Sequence, residues 1–203
     1  PDIVGNTTWI VILIPDFGAF FLAPLIYFFP AEAKSDGVPA TMEAVALKGG
    51  IIKVRTFSTR MLASAITLGS GGSAGKEGPI IQIGASIGSA VGQFFKVSGE
   101  RMRVLVGCGA AAGLAAIFNA PIAGVLFALE VVLGEFNVHS FSPIVISSVV
   151  ATAVSRAWLI HGAALQLPPY MMFSYWEIFL YAILGVAAGM VSVWFTKSLH
   201  GME

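Results

Sequence analysis

The sequence predicts an all-α, polytopic membrane protein built from short and broken helices, and three observations carry that reading. Hydrophobic residues make up 57% of the 203 residues and charged residues only 11%, against about 25% charged in soluble domains. A water-exposed fold could not cover its surface with so few charges, and the mean hydropathy of +0.86 agrees. Apolar runs long enough to cross ~30 Å of hydrocarbon recur along the chain. Several are interrupted by glycine- or proline-rich breaks, whose unpaired backbone groups must lie inside protein or line a water-filled cavity.

The elements follow in order. Trp9 to Phe29 is a first span with Asp16 as its only charge, and Pro15 and Pro24 predict a kink. It is too long for a signal-peptide core and no basic head precedes it. A polar turn from Pro30 to Gly37 leads into a short amphipathic helix, Pro39 to Lys48, with Pro39 suited to the first turn. A basic connector holds Lys48, Lys53, Arg55 and Arg60, followed by an apolar piece from Met61 to Leu68, a glycine cluster over 69–78, and a second piece from Pro79 to Phe95. Lys96, Arg101 and Arg103 form a second basic connector. The first 33 residues carry no Lys or Arg, so the positive-inside rule puts both connectors on the cytoplasmic face. The segment between them then enters, breaks and returns.

Val104 to Val132 is rich in small residues and breaks at Phe118-Asn119-Ala120-Pro121, where Asn119 reads as the cap of a helix starting near Pro121. Pro143 to Ile160, with Arg156 near its end, and Tyr175 to Ser198 are the remaining spans. Tyr170, Tyr175 and Trp176 stand where an interfacial aromatic belt would. Gly84, Gly88 and Gly92, with three residues between each and the next, and Gly109 and Gly113 allow helices to approach closely in a membrane. Residues 1–203 thus read as a partial transmembrane domain with no soluble domain.

Several function classes are excluded. Eleven basic and eleven acidic side chains cancel, leaving no electrostatic footprint for nucleic acid. Cys108 is the only cysteine, so an intrachain disulfide or a cysteine metal cluster is impossible, and it reads as a small buried hydrophobe. His139, His161 and His200 lie near loops or ends and read as interfacial residues rather than ligands. With no nucleophile–base pair and no metal-ligand set, an enzyme is not expected, nor any cofactor.

The segment from Gly69 to Pro79, GSGGSAGKEGP, is the densest signal. It opens a helix at membrane depth, where free N–H groups and the macrodipole attract anions. Glycines flanking Glu77 permit close backbone approach. A carboxylate there competes with a bound anion for the same N–H groups, and protonation releases it; the plainer alternative is that Glu77 only caps its helix. The segment fails the P-loop pattern, with Ser70 where glycine and Glu77 where a hydroxyl is needed.

Gly75-Lys76-Glu77-Gly78-Pro79 resembles the G-[KR]-E-G-P signature of the CLC family of chloride channels and chloride/proton antiporters. Gly113 to Glu130, GLAAIFNAPIAGVLFALE, resembles that family's next segment, and Gly37-Val38-Pro39 the end of its G-S-G-I-P segment. The resemblance implies a gating role for Glu77 and an anion site drawn from Gly75, Lys76, Glu77, Gly78 and Pro79 together with Ser35, Asp36, Gly37, Val38 and Pro39. It also implies transported chloride, a lipid bilayer as surroundings, a homodimer, and multi-pass residence in an inner or plasma membrane. Glu130 aligns with the first of two adjacent acidic residues of the antiporters, while the internal proton-transfer position falls on Val131, which cannot relay a proton.

Two departures matter. The family's central serine falls on Asp36, a carboxylate that would repel an anion; capping of the Pro39 helix by Asp36, or a hydroxyl from Ser35, would resolve this. The family's G-x-F-x-P segment and pore tyrosine do not occur after residue 130, so the chain reads as the first half of an inverted-repeat fold plus the first long helix of the second. The expected function is a voltage- or pH-gated chloride channel, with a chloride/proton antiporter as the alternative and a non-transporting membrane scaffold as a further one.

Overall fold

A computed structural model of the chain describes residues 4–33, 37–97, 99–158 and 174–201. Every regular element among them is helical. The chain divides into two units, residues 1–165 and 166–203. Among the described residues the second contains one 25-residue apolar helix, α9 (Trp176–His200); Tyr175 and Trp176 open it, while Tyr170 lies outside the described residues.

In the first unit, α1 (Val4–Phe28) runs through Pro15 and Pro24 as one helix. The expected polar turn contains a short helix, α2 (Pro30–Ala33). The next helix, α3 (Gly37–Leu47), begins two residues before the expected Pro39, which sits within its first turn. A larger difference concerns α4 (Arg55–Gly69), which starts well before Met61 and takes up Arg55 and Arg60 from the basic connector. Charge marked those residues as loop, but Thr56, Thr59 and Ala63 bury one helical face, and Glu32 compensates the charge. Glu32 is 4% exposed and accepts from Arg55 Nε at 2.8 Å and Lys53 Nζ at 3.4 Å. Burial opposes the Glu32 charge, yet these donors outweigh it and hold its pKa below the usual carboxylate value.

The glycine cluster ends α4 through its backbone. Ser70 N–H bonds Ile66 O, and Gly72 N–H bonds Thr67 O at 2.8 Å. Gly71 takes φ +80°, which glycine adopts without penalty. The chain re-enters a helix at α5 (Glu77–Phe94), then α6 (Glu100–Phe118), α7 (Pro121–Phe127), a π-helical segment (Ala128–Leu133) and α8 (Val138–Trp158).

Asn119 does not cap α7. It takes the left-handed conformation (φ 55°, ψ 36°) and ends α6, a geometry that asparagine tolerates better than most residues. Ala120 stands at the α7 N-cap with no side-chain cap bond, and the Asn119 side-chain oxygen accepts instead from Arg156 Nε. The carbonyls around this break are satisfied from α8: Ser155 Oγ donates to Ala116 O at 2.9 Å and Ser148 Oγ to Pro121 O at 2.7 Å. In a low-dielectric surrounding these bonds allow the helix to break.

α5 and α6 form the centre of this unit, with Ile81, Ala85, Val106 and Ala110 buried between them and α3. Their backbones approach through glycine. A Cβ built on Gly84 would overlap Gly109 O, and one on Gly88 would overlap Leu105 O. In lipid, close van der Waals packing of this kind replaces the hydrophobic drive. Many large side chains point outward: Phe20, Phe94 and Trp158 are at least 74% exposed. That would be a liability in water and is the normal surface in a bilayer. Among the described residues, α6, α8 and α9 are each long and apolar enough to cross a membrane.

The two basic connectors meet. Gly50 packs against Met102 and Arg103, Ile52 N–H donates to Ser89 Oγ at 2.8 Å, and Gln93 Nε2 donates to Ile52 O at 2.7 Å. The loop over residues 50–52 and the second connector therefore lie at the C-terminal end of α5, about 27 Å of helix away from Glu77, since α5 has 18 residues.

Candidate functional site

At the other end of α5 the chain brings two helix N-termini into backbone contact. A Cβ on Gly37, the first residue of α3, would lie 2.7 Å from Gly78 Cα and C and 2.8 Å from Gly78 O. No side chain fits between them, so α3 and α5 direct the positive ends of their dipoles to one place. Ile80 N–H closes the first turn of α5 onto Lys76 O at 3.1 Å. The N–H groups of Glu77 and Gly78 precede that bond and are left over by the helix, while Pro79 has none to offer.

Of the residues that sequence reasoning named, Gly37, Val38 and Pro39 open α3, and Glu77, Gly78 and Pro79 open α5, with Gly75 and Lys76 in the approach. Ser35 and Asp36 lie outside the described residues, so the proposed capping by Asp36 does too. Gly37 is buried and Val38 half-buried, whereas Gly75, Lys76 and Glu77 are exposed. The Glu77 carboxylate lies over the Gly75 backbone. Lys76 is anchored away from it, its Nζ 5.6 Å from the centre of the Phe118 ring. A cavity of about 140 Å³ behind Gly75 and Pro79 extends along α4 past Thr67 to Arg60, whose guanidinium donates to Ala33 O at 2.9 Å.

Glu130 and Val131 are placed on the π-helical segment, which packs on α3. Glu130 is exposed and Val131 half-buried. Neither belongs to the cluster of residues around Glu77. The π-helical geometry was not legible in the sequence, and neither was the Phe118–Lys76 contact or the Glu32 ion-pair cluster. For the two contacts the partners stand far apart in the chain, and only the packing of α2 on α4 and of α5 on α6 brings them together.

The Gly37–Gly78 contact carries a prediction. Gly37→Ala forces the two N-termini apart against backbone atoms that cannot yield, and is expected to weaken binding of a halide anion used as probe by about tenfold or more. Gly78→Ala is expected to cost less, since its Cβ would meet only Gly37 Cα, at an ordinary 3.8 Å. Isothermal titration of the two variants checks the order.

Spans broken at a backbone site between two helix N-termini define a broken-helix membrane protein. The chain belongs to the CLC family: the profile described as voltage gated chloride channel matches residues 18–203. A ClcB-like protein of Ralstonia nicotianae is 36% identical over 90% of this chain and 43% of its own length. The H(+)/Cl(-) exchange transporter ClcA of Vibrio parahaemolyticus is 32% identical over 92% of this chain and 40% of its own length. Among solved structures, a slow cyanobacterial Cl−/H+ antiporter superposes with a TM-score of 0.78 at 28% identity, over 90% of this chain and 44% of that one. The chain thus spans less than half the length of these relatives, which fits the half-subunit reading.

Proposed function

We propose that this chain supplies one half of the anion pathway of a chloride/proton exchanger of an inner or plasma membrane, acting as a homodimer. The observation that carries the proposal is the backbone contact between Gly37 and Gly78, which aims two helix N-termini at one point beside an ionisable side chain. Chloride is held there by the Glu77 and Gly78 N–H groups and the two dipoles. The Glu77 carboxylate competes for the same groups. When it takes up a proton it loses its charge and its claim on the N–H donors, and the anion enters; when the proton leaves, the carboxylate returns and the anion is expelled. One group thereby links the two movements. Relatives named as exchange transporters favour this reading over a gated channel.

A second reading, the passive channel, is favoured by one residue. Val131 stands where the family's antiporters carry the inner proton-transfer acid, and Glu130 is the neighbouring carboxylate. Chloride efflux from liposomes holding the full-length protein, with external pH recorded at the same time, separates the two. Efflux with proton uptake at a fixed ratio is expected; efflux without proton movement would establish the channel.

A further inference from the structure

The position that a Cβ would take on Gly75 is occupied by one thing only. Glu77 Oε2 overlaps it, Glu77 Cδ lies 3.6 Å away, and no other group comes within 4 Å. Gly75 is not among the glycines with positive φ, so its backbone suits any L-residue and does not itself call for glycine. The carboxylate is exposed, it is turned back along the chain toward the loop, and among the described residues it accepts no hydrogen bond from the α5 N-terminus.

From these facts we infer that Gly75 is the seat of the withdrawn Glu77 carboxylate: the missing side chain at residue 75 makes the space in which the gate rests while the N–H groups of Glu77 and Gly78 are open to an anion. This rests on Glu77 acting as the gate and adds the residue that sets its resting balance. Gly75 is a positioning residue in this account. A methyl group there leaves the helix N-termini and their N–H groups unaltered but displaces the end of the carboxylate from its withdrawn position, which shifts the population toward the position that competes with the anion. Lys76 does not hold the carboxylate, because its ammonium is placed over Phe118. The other charged groups on elements packed around the loop are Asp16 of α1, two residues from Gly18, which packs on Ser70, and Arg60 of α4, across the small cavity. At this end α3 and α6 present no ionisable side chain among their described residues.

The test is a double-mutant cycle on chloride efflux from liposomes holding the full-length protein. Gly75→Ala is expected to slow efflux about three- to tenfold at neutral pH and to move its acid activation to lower pH. In a Glu77→Ala background the same substitution is expected to cost at least threefold less than in the unsubstituted protein and to move no acid activation, since no carboxylate remains to be displaced. An equal loss in both backgrounds would mean that residue 75 touches the anion directly, and would overturn the proposal. So would an unchanged rate in Gly75→Ala when Glu77→Ala itself alters flux. If Glu77→Ala leaves flux and pH profile unaltered, the gate reading fails and this inference with it. Should Gly75→Ala not assemble, the density of the unsubstituted protein in saturating chloride decides: a carboxylate over Gly75 supports the proposal, and one on the Glu77 and Gly78 N–H groups contradicts it.

Discussion

Glu77→Gln is expected to raise chloride flux, to remove its dependence on pH and to abolish proton movement. Glutamine has nearly the same shape but no charge to place against the helix N-terminus and no proton to carry. A carboxylate at such a terminus is worth about 0.5–2 kcal/mol. Taking that competitor away therefore raises anion occupancy by roughly two- to thirtyfold. The pH profile is the sharper readout. The unsubstituted protein should conduct faster as acid protonates Glu77, whereas the glutamine variant should be flat. A variant with the flux and pH response of the unsubstituted protein would show that Glu77 only caps α5, and would favour a scaffold without transport.

The largest effect on the fold is expected from Gly109→Val. A Cβ on Gly109 would overlap Gly84 O and lie 2.7 Å from Gly84 C and 3.2 Å from Gly88 N. All three are backbone atoms of α5, so no rotamer change relieves the clash and the helices must separate. Overpacking of this kind costs about 3 kcal/mol or more, against a total stability of about 5–15 kcal/mol. Because α5 carries Glu77 at one end and clasps the connectors at the other, the site is lost with the packing. Size-exclusion chromatography in detergent should show no monodisperse protein for Gly109→Val. It should show a normal profile for Gly69→Ala, where nothing lies within 4 Å of the added methyl. A monodisperse Gly109→Val protein at normal yield would contradict the proposed crossing.

Much of this was legible in the sequence because it depends on short-range chemistry. Glycine clusters at membrane depth must break a helix inside protein, and the break falls at residues 70–76, within the expected cluster over 69–78, with α5 starting two residues before the expected Pro79. Pro121 opens its helix for the same local reason. What was not legible depended on distant partners. Asn119 has the composition of an N-cap, but the Arg156 side chain and the left-handed turn after α6 engage it instead. Arg55 and Arg60 read as loop charges because their partners, the Glu32 carboxylate for Arg55 and the Ala33 carbonyl for Arg60, stand more than twenty residues earlier and could not be seen as such. The spacing of Gly37 and Gly78 says nothing about contact; only folding of α3 onto α5 makes them neighbours.

The most direct test of the central claim, that two helix N-termini form an anion site beside Glu77, is anomalous scattering from bromide in crystals of the full-length protein. The account predicts a bromide peak within hydrogen-bonding distance of the Glu77 and Gly78 backbone N–H groups, strengthened in Glu77→Gln. Bromide bound elsewhere in the pathway, with no peak at the Gly37–Gly78 contact in either protein, would contradict it.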